Sequence, residues 1–197
     1  MFSSRFQDLA EAVDSAVYST HKAAILEEEA LQMAQDMLAN IPGQNGIIYV
    51  IGNGGSAGIA SHFSTDLMKA LHLPSQTLYD SNLMTCLSND WGYEHVFSYP
   101  LEKLLKPNDL LVAISSSGKS SNILEAVRQA LTKNATVITF SGFLETNPLR
   151  KMGHLNFWIN RCDYGLVETS HFFLLHTIID LWNKNTLLKY ANIAANK

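Results

Sequence analysis

The fold is decided by the stretch Ile47-Ile48-Tyr49-Val50-Ile51-Gly52-Asn53-Gly54-Gly55-Ser56-Ala57-Gly58. An apolar run leads straight into the glycines, which predicts a buried strand, a tight turn and then a helix through Leu71. The glycines permit unusual backbone dihedral angles and let a ligand approach bare backbone. Backbone N–H groups at the start of the helix suit a phosphate or another anion. We therefore expect this glycine turn to bind a ligand.

Composition and charge limit the functional classes open to the chain. Its 197 residues fit one domain, and a hydrophobic fraction of 47% is enough for a buried core. The net charge of −4 argues against nucleic acid as a partner. No basic run suggests a membrane surface, and the apolar runs fall far short of the ~20 residues that cross a bilayer. Two cysteines and an N-terminus without an apolar signal core favour a cytoplasmic protein.

Beyond the glycine turn, short apolar segments alternate with helical patterns. Strands are predicted at 75–80, 109–115, 135–140 and 155–159. Helices are predicted at 82–88, 96–105, 120–133 and 166 to about 190. This alternation is typical of an α/β fold with a central parallel sheet covered by helices on both faces, a flavodoxin-like or Rossmann-like sandwich of three layers. We expect that domain to occupy residues 46–197.

The first 45 residues carry a different pattern. Apolar residues recur at helical spacing in two sets, from Phe6 to Val17 and from Leu26 to Leu38, which predicts two helices with a break near Thr20. Because these helices precede the first strand, they form a layer outside the strand–helix alternation. Extra cover for the core is one interpretation. We favour an N-terminal helical oligomerisation segment over residues 1–45, since an amphipathic hairpin needs an apolar partner.

A second turn of the same kind follows the strand at 109–115. Its sequence, Ser115-Ser116-Ser117-Gly118-Lys119-Ser120, brings four hydroxyls and several free N–H groups to the start of a helix. Such a serine loop suits a phosphate monoester. Ser120 or Ser121 could instead only cap the helix, but capping needs one hydroxyl and not four. We favour phosphate binding, because both turns lie at carboxyl ends of parallel strands, where open α/β sheets bind ligands.

Four titratable side chains lie on two of the predicted helices. His62 and Asp66 are four residues apart and so share one helical face. An imidazole and a carboxylate so placed can share a metal or transfer protons together. Glu168 and His176 are eight residues apart, differ in direction by roughly 80° and can border one cavity. A histidine among apolar residues is more often a satisfied core residue, and we keep that interpretation for His171.

The glycine turn also admits a rival interpretation. Gly52-x-Gly54-x-x-Ala57 matches the dinucleotide fingerprint in its Gly/Ala form, and Asp80 at the end of the next predicted strand could hold a ribose. The motif is weak on its own. A dinucleotide site does not require the serine loop and gives His62 and Asp66 no role, so a dehydrogenase is the less favoured hypothesis.

The two turns and the last helix resemble a SIS (sugar isomerase) domain, specifically its phosphoheptose isomerase branch. The resemblance extends from about Gly46 to Leu181, and the two N-terminal helices also fit it. The most specific matches are Gly52-Asn53-Gly54-Gly55-Ser56-Ala57, His62-Phe63, Asn89-Asp90-Trp91-Gly92-Tyr93 and Ile114-Ser115-Ser116-Ser117-Gly118-Lys119-Ser120. The branch implies isomerisation of sedoheptulose 7-phosphate to D-glycero-D-manno-heptose 7-phosphate, for the heptose of lipopolysaccharide or capsule.

The resemblance also implies a zinc-dependent homotetramer with its sites between subunits. The residues that it places on the substrate are Asn53, Gly54, Ser56, Asp90, Ser115, Ser116, Ser117, Ser120 and Glu168. Those that it places on the metal are His62, Asp66, Glu168 and His176, a mixed nitrogen and carboxylate set that suits zinc. Proton transfer through an enediolate needs a base and an acid, for which we propose Asp66 and His176 respectively.

Four residues depart from the pattern of that branch. Asp66 stands where a glutamate is usual and is one methylene shorter, while Glu168 replaces a glutamine and adds a negative charge. Two histidines and two carboxylates remain a chemically sound zinc set. Ala70 and Leu166 stand where arginines are usual, so we expect the far end of the sugar phosphate to be held differently.

A function without catalysis is the alternative within the same family. SIS domains also serve as sugar-phosphate sensors and as scaffolds that bind partner proteins. A pure scaffold would have no need of His62, Asp66 and His176 together. Their presence therefore favours the enzyme.

Overall fold

The computed structural model describes the backbone of residues 1–195 and the side chains of residues 1–183. The helices are α1 (Phe2–Asp14), α2 (Glu27–Gly43), α3 (Gly55–Leu71), α4 (Ser81–Trp91), α5 (Ser98–Leu104), α6 (Ser121–Thr132) and α7 (Tyr164–Ala195). The strands are β1 (Val17–Thr20), β2 (Ala24–Ile25), β3 (Ile48–Ile51), β4 (Ser75–Gln76), β5 (Leu110–Ser115), β6 (Thr136–Ser141) and β7 (Leu155–Trp158). Two short 3-10 turns cover Tyr93–His95 and Leu149–Lys151.

These strands form one sheet in the order β2-β1-β7-β6-β5-β3-β4. The five strands from β3 to β7 are mutually parallel. Their order, counted along the chain as 2-1-3-4-5, is that of flavodoxin-like folds. β1 adds to this sheet antiparallel to β7, with Tyr18 opposite Phe157. The predicted α/β fold is thus confirmed, and an antiparallel edge is added to it.

Apolar side chains of the strands alternate between the two faces of the sheet. On β3, Ile48 and Val50 join a buried cluster with α2, α3 and α7. Tyr49 and Ile51 point the other way, into a cluster with α4, α5 and α6. All four residues are at most 1% exposed. Burial of each such aliphatic side chain contributes about 1.5–3 kcal/mol, which explains why the central strands are apolar throughout.

The strand predicted over 75–80 is shorter in the structure, and this removes the ribose contact proposed for Asp80. β4 ends at Gln76, and Asp80 is the N-cap of α4, where its Oδ1 accepts a hydrogen bond from the Leu83 N–H at 2.8 Å. An aspartate in this position satisfies one of the free N–H groups of the helix start. The carboxylate of Asp80 is therefore a helix cap.

The N-terminal segment contains the two predicted helices, α1 and α2, with an unpredicted hairpin between them. Val17, which the sequence placed in the first helix, is instead the first residue of β1 and lies opposite Trp158. The assignment of Val17 to a helix was therefore wrong. Residues 17–25 belong to the same sheet as the rest of the fold, whereas the role of residues 1–45 in assembly stays a prediction. Within the described residues, none of the helices combines the length and the apolar character that a membrane crossing needs.

Candidate active site

The glycine turn between β3 and α3 is held by its backbone conformation and by one tyrosine. Gly54 has φ 53°, in the left-handed region that glycine adopts without strain. The Tyr79 hydroxyl accepts a hydrogen bond from the Gly52 N–H at 2.7 Å and donates one to the Gly52 carbonyl at 3.0 Å. Burial raises the pKa of Tyr79, so its hydroxyl keeps the proton that it donates. The turn is consequently fixed before any ligand binds.

The serine loop between β5 and α6 also depends on a glycine. Gly118 has φ 63°, and a Cβ there would overlap the side-chain oxygen of the buried Asn147. Ser120 is the N-cap residue of α6 but makes no side-chain cap bond, and its Oγ instead accepts from Ser115 Oγ at 3.2 Å. Ser116 Oγ is buried without a partner among the described residues. The hydroxyls are thus not used for capping, which supports the ligand-binding interpretation.

The two turns border one cavity of about 230 Å³ at the carboxyl ends of β3 and β5. Its lining residues are Asn53, Gly54, Gly55, Ser56, Ser115, Ser116, Ser117, Ser120, Tyr164 and Glu168. Every residue that the family resemblance places on the substrate, except Asp90, lies in this lining. Tyr164 is an addition, which an exposed aromatic residue at the start of the last helix could have indicated. No lysine or arginine among the described residues lines the cavity, so its donors are hydroxyl, amide and backbone groups.

Asp90 lies outside that cavity, on the exposed last turn of α4. Its Oδ1 accepts from Asn89 Nδ2 at 2.8 Å, and its Oδ2 accepts from Cys86 Sγ at 3.5 Å. The contact between Asp90 and the substrate stays a prediction. Within one subunit, this contact would require a ligand that extends beyond the cavity.

Glu168 projects from the first turns of α7 toward the start of α3. A Cβ on Gly55 would overlap its carboxylate, so the two helices meet here without a side chain between them. Burial raises the pKa of Glu168 above its ordinary value. Glu168 is the one carboxylate among the described residues that line the cavity, and its oxygens can accept hydrogen bonds from the hydroxyl groups of a polyol.

Farther along the same pair of helices, His62, Asp66 and His176 converge. Asp66 Oδ2 lies 3.3 Å from His62 Nε2 and 3.5 Å from His176 Nδ1. The centroids of the two imidazole rings are 4.9 Å apart. One donor atom from each residue lies within 4.8 Å of the others. Two imidazole nitrogens and one carboxylate oxygen are a common protein donor set for catalytic zinc, so these residues fit the metal that the resemblance implies.

Glu168 is not part of this trio of His62, Asp66 and His176. Eight residues of α-helix rise about 12 Å, which places Glu168 and His176 at different levels along α7. Glu168 lines the cavity beside the serine loop, while His176 lies at the level of Asp66. The structure therefore brings three of the four predicted ligands together, and the role of Glu168 as a fourth stays a prediction.

Comparison with known proteins gives one consistent family. A family model described as the SIS domain matches residues 13–142. The phosphoheptose isomerase of Campylobacter concisus is 36% identical over 157 residues, which cover 77% of this chain and 80% of that protein. The phosphoheptose isomerase of Cytophaga hutchinsonii is 32% identical over 179 residues, 88% and 93% of the two chains. The solved structure of a phosphoheptose isomerase from Neisseria gonorrhoeae superposes with a TM-score of 0.80 at 28% identity, covering 91% of this chain and 96% of that one.

Proposed function

This chain belongs to the SIS domain family, in its phosphoheptose isomerase branch, and from that premise we propose that it isomerises sedoheptulose 7-phosphate to D-glycero-D-manno-heptose 7-phosphate. The product is an aldose phosphate from which surface-polysaccharide heptose is made. The observation that carries the proposal is the arrangement on α3 and α7. These helices border the serine-lined cavity at one level and bring His62, Asp66 and His176 together at the next.

The serine loop binds the phosphate group in this proposal. Its hydroxyls and the N–H groups at the start of α6 supply several neutral donors, a combination that favours an anion at a helix N-terminus. Holding the phosphate fixes the sugar, so that binding energy at one end of the substrate orients the reacting carbons at the other. Glu168 and Asn53, which line the same cavity, then face the sugar hydroxyls.

Isomerisation transfers a proton between C1 and C2 through an enediolate, and this requires a base, an acid and a stabilised oxygen anion. Asp66 removes a C1 proton and returns a proton to C2. His176 protonates the C2 oxygen, which becomes the new hydroxyl, and takes up the proton of the C1 hydroxyl, whose oxygen becomes the aldehyde oxygen. The Asp66 carboxylate lies within 3.5 Å of both imidazoles, so proton transfer among the three groups needs no large movement. His62, Asp66 and His176 would also hold a zinc ion, which when bound polarises the carbonyl oxygen and stabilises negative charge.

The phosphate assignment predicts the effect of Ser117→Ala. Loss of a hydrogen bond to a charged group costs about 1.5–3 kcal/mol, so the dissociation constant for sedoheptulose 7-phosphate should rise about 10- to 100-fold. Calorimetric titration in an Asp66→Asn background measures this without interference from turnover. Ser121→Ala is the matched control, because Ser121 lies one residue beyond the loop and does not line the cavity. An unchanged dissociation constant for Ser117→Ala would contradict the assignment.

The reaction itself is tested with a panel of ketose phosphates. Metal-loaded protein is incubated with sedoheptulose 7-phosphate, fructose 6-phosphate and ribulose 5-phosphate, and aldose formation is followed by chromatography. We expect the highest kcat/KM for sedoheptulose 7-phosphate. Absence of an aldose product from all three ketoses would overturn the proposed function.

We further propose that α1 and the neighbouring part of α7 join copies of the chain into a homotetramer. Phe2, Phe6 and Phe173 are 95%, 71% and 54% exposed, and the last two line an apolar cavity of about 390 Å³. Light scattering at micromolar concentration should give the mass of a tetramer, and Phe6→Glu should shift it to a smaller species. Leu144→Glu, at an exposed apolar residue outside this cavity, should leave the mass unchanged. A wild-type monomer would contradict the proposal.

A further inference from the structure

A pair of asparagine side chains joins the glycine turn to the helix behind the serine loop. Asn53 Nδ2 donates to Asn122 Oδ1 at 2.9 Å, and Asn122 Nδ2 donates to Asn53 Oδ1 at 2.9 Å. Asn53 belongs to the glycine turn, whereas Asn122 lies in the first turn of α6, directly after the serine loop. The two residues are 69 positions apart in the chain, so this amide bridge is a tertiary link between the two ligand-binding segments.

The Asn122 side of the amide bridge is buried and makes a third hydrogen bond. That residue is 1% exposed, and its Oδ1 also accepts from the Ile123 N–H at 3.0 Å. Since a backbone N–H can only donate, this third bond fixes which end of the Asn122 amide carries the oxygen. With Asn122 oriented in this way, Asn53 must present its Oδ1 to Asn122 Nδ2, and the Tyr93 hydroxyl donates to the same Oδ1 at 3.1 Å. Each amide therefore has one defined orientation.

The position of the bridge relates the phosphate end of the substrate to its reacting end. α6 begins at the serine loop, and α3 begins at the glycine turn and carries His62 and Asp66. A change in the spacing between the two turns would therefore move a bound phosphate relative to Asp66. Displacement of a substrate by about 1 Å can cost 10²-fold in rate, even when the displaced contact is remote from the chemistry.

We propose that Asn122 is a positioning residue, which acts through Asn53 to set the spacing between the serine loop and the catalytic helix α3. Asn122 does not line the cavity, so it touches neither the substrate nor the reacting atoms. Asn53, which the family resemblance places on the substrate, lines the cavity and also has its side chain engaged in the bridge. This proposal rests on the proposed function, because its readout is turnover of sedoheptulose 7-phosphate.

The test is a double-mutant cycle of Asn53→Ala, Asn122→Ala and the double variant. If the bridge acts as a unit, each single variant lowers kcat about 10- to 100-fold. The kcat of the double variant should then be no more than about threefold below that of the less active single variant. The dissociation constant for inorganic phosphate should change less than threefold in Asn122→Ala, because the serine loop itself is intact. If Asn122 had a purely structural role, Asn122→Ala would lower the amount of folded enzyme, but the folded enzyme would not combine a reduced kcat with an unchanged affinity for phosphate.

A second variant keeps the test informative if Asn122→Ala does not fold. Tyr93→Phe removes only the hydroxyl that donates to Asn53 Oδ1, and Tyr93 is half exposed, so folding should be unaffected. We expect kcat to fall about 3- to 10-fold with unchanged phosphate affinity. Wild-type kcat in Tyr93→Phe and in every folded Asn122 variant, or multiplication of the single losses in the double variant, would overturn the positioning role. An inactive wild-type enzyme would instead overturn the proposed function, so the two failures are distinguishable.

Discussion

Asp66→Asn is expected to lower kcat for sedoheptulose 7-phosphate by about 10²- to 10⁴-fold, the range of general acid–base catalysis. The substitution keeps the size of the side chain, but it removes the base and replaces one accepting oxygen by an NH2 donor. It also removes a charged oxygen that lies 3.3 Å from His62 and 3.5 Å from His176. Turnover should be measured together with metal content, because the same oxygen is a candidate zinc ligand.

Two companion variants separate the roles within this cluster. His176→Ala should lose both metal and turnover, since it removes one of three donors. Asp180→Asn is the control, because Asp180 is an exposed carboxylate one helical turn beyond His176 on α7. If Asp66→Asn kept more than a tenth of the wild-type kcat with its metal bound, the base would have to be another group.

The protein should lose stability steeply as the pH falls below about 6.5, and His171 should account for about 3 kcal/mol of that loss. This side chain is completely buried, and burial lowers its pKa to about 4. Its Nε2 lies 3.0 Å from the Ser141 carbonyl, which can only accept, so Nε2 carries the single proton of the neutral ring. Nδ1 has no partner among the described residues, so nothing on that side would stabilise an added proton.

The sign of the effect follows from proton binding in the two states. The unfolded chain takes up a proton on His171 near pH 6.5, whereas the folded chain does so only near pH 4. Between these values the unfolded state binds more protons, so the free energy of unfolding decreases as the pH falls. The contribution is fully present above pH 6.5 and is lost progressively toward pH 4. A difference of roughly 2.5 pKa units corresponds to about 3 kcal/mol.

Urea unfolding from pH 7 to pH 4.5 measures this dependence. His171→Gln should be less stable than wild type at pH 7 because a buried contact changes, but its unfolding midpoint should vary much less with pH. His72→Asn is the control, because His72 is exposed and asparagine tolerates its positive φ of 55°. Equal pH dependence in wild type and His171→Gln would show that His171 titrates normally in the folded protein.

The central strands could be predicted from the sequence because their apolar character is local. Ile48 to Ile51 are apolar without interruption since neighbouring residues are buried on opposite faces of the sheet. β1 gave no such signal. Val17 continues the helical spacing of Val13, and its strand conformation depends on pairing with Trp158 from the far end of the chain. Asp80 was misassigned for a related reason. The end of β4 at Gln76 and the N-cap of α4 at Asp80 are only four residues apart, and the local pattern does not separate them.

The candidate site likewise has parts that the sequence predicts locally and parts that depend on contacts between distant segments. The glycine turn, the serine loop and the His62–Asp66 pair are each encoded within a few residues, and the structure brings their side chains to α3 and its cavity. The Tyr79 hydroxyl on Gly52 and the bridge between Asn53 and Asn122 join distant segments, so no local pattern indicates them. Glu168 lines the cavity about 12 Å along α7 from His176, and its role as a fourth metal ligand stays a prediction.

The most direct test of isomerisation is an NMR measurement on the metal-loaded enzyme with sedoheptulose 7-phosphate in D2O. Removal of the C1 proton by Asp66 and return of a solvent-exchanged proton to C2 should yield D-glycero-D-manno-heptose 7-phosphate with deuterium at C2. The Asp66→Asn enzyme should form this product at least about 100-fold more slowly. Unchanged sedoheptulose 7-phosphate without deuterium at C1, recovered from folded wild-type protein that contains its metal and binds phosphate, would contradict the isomerase function.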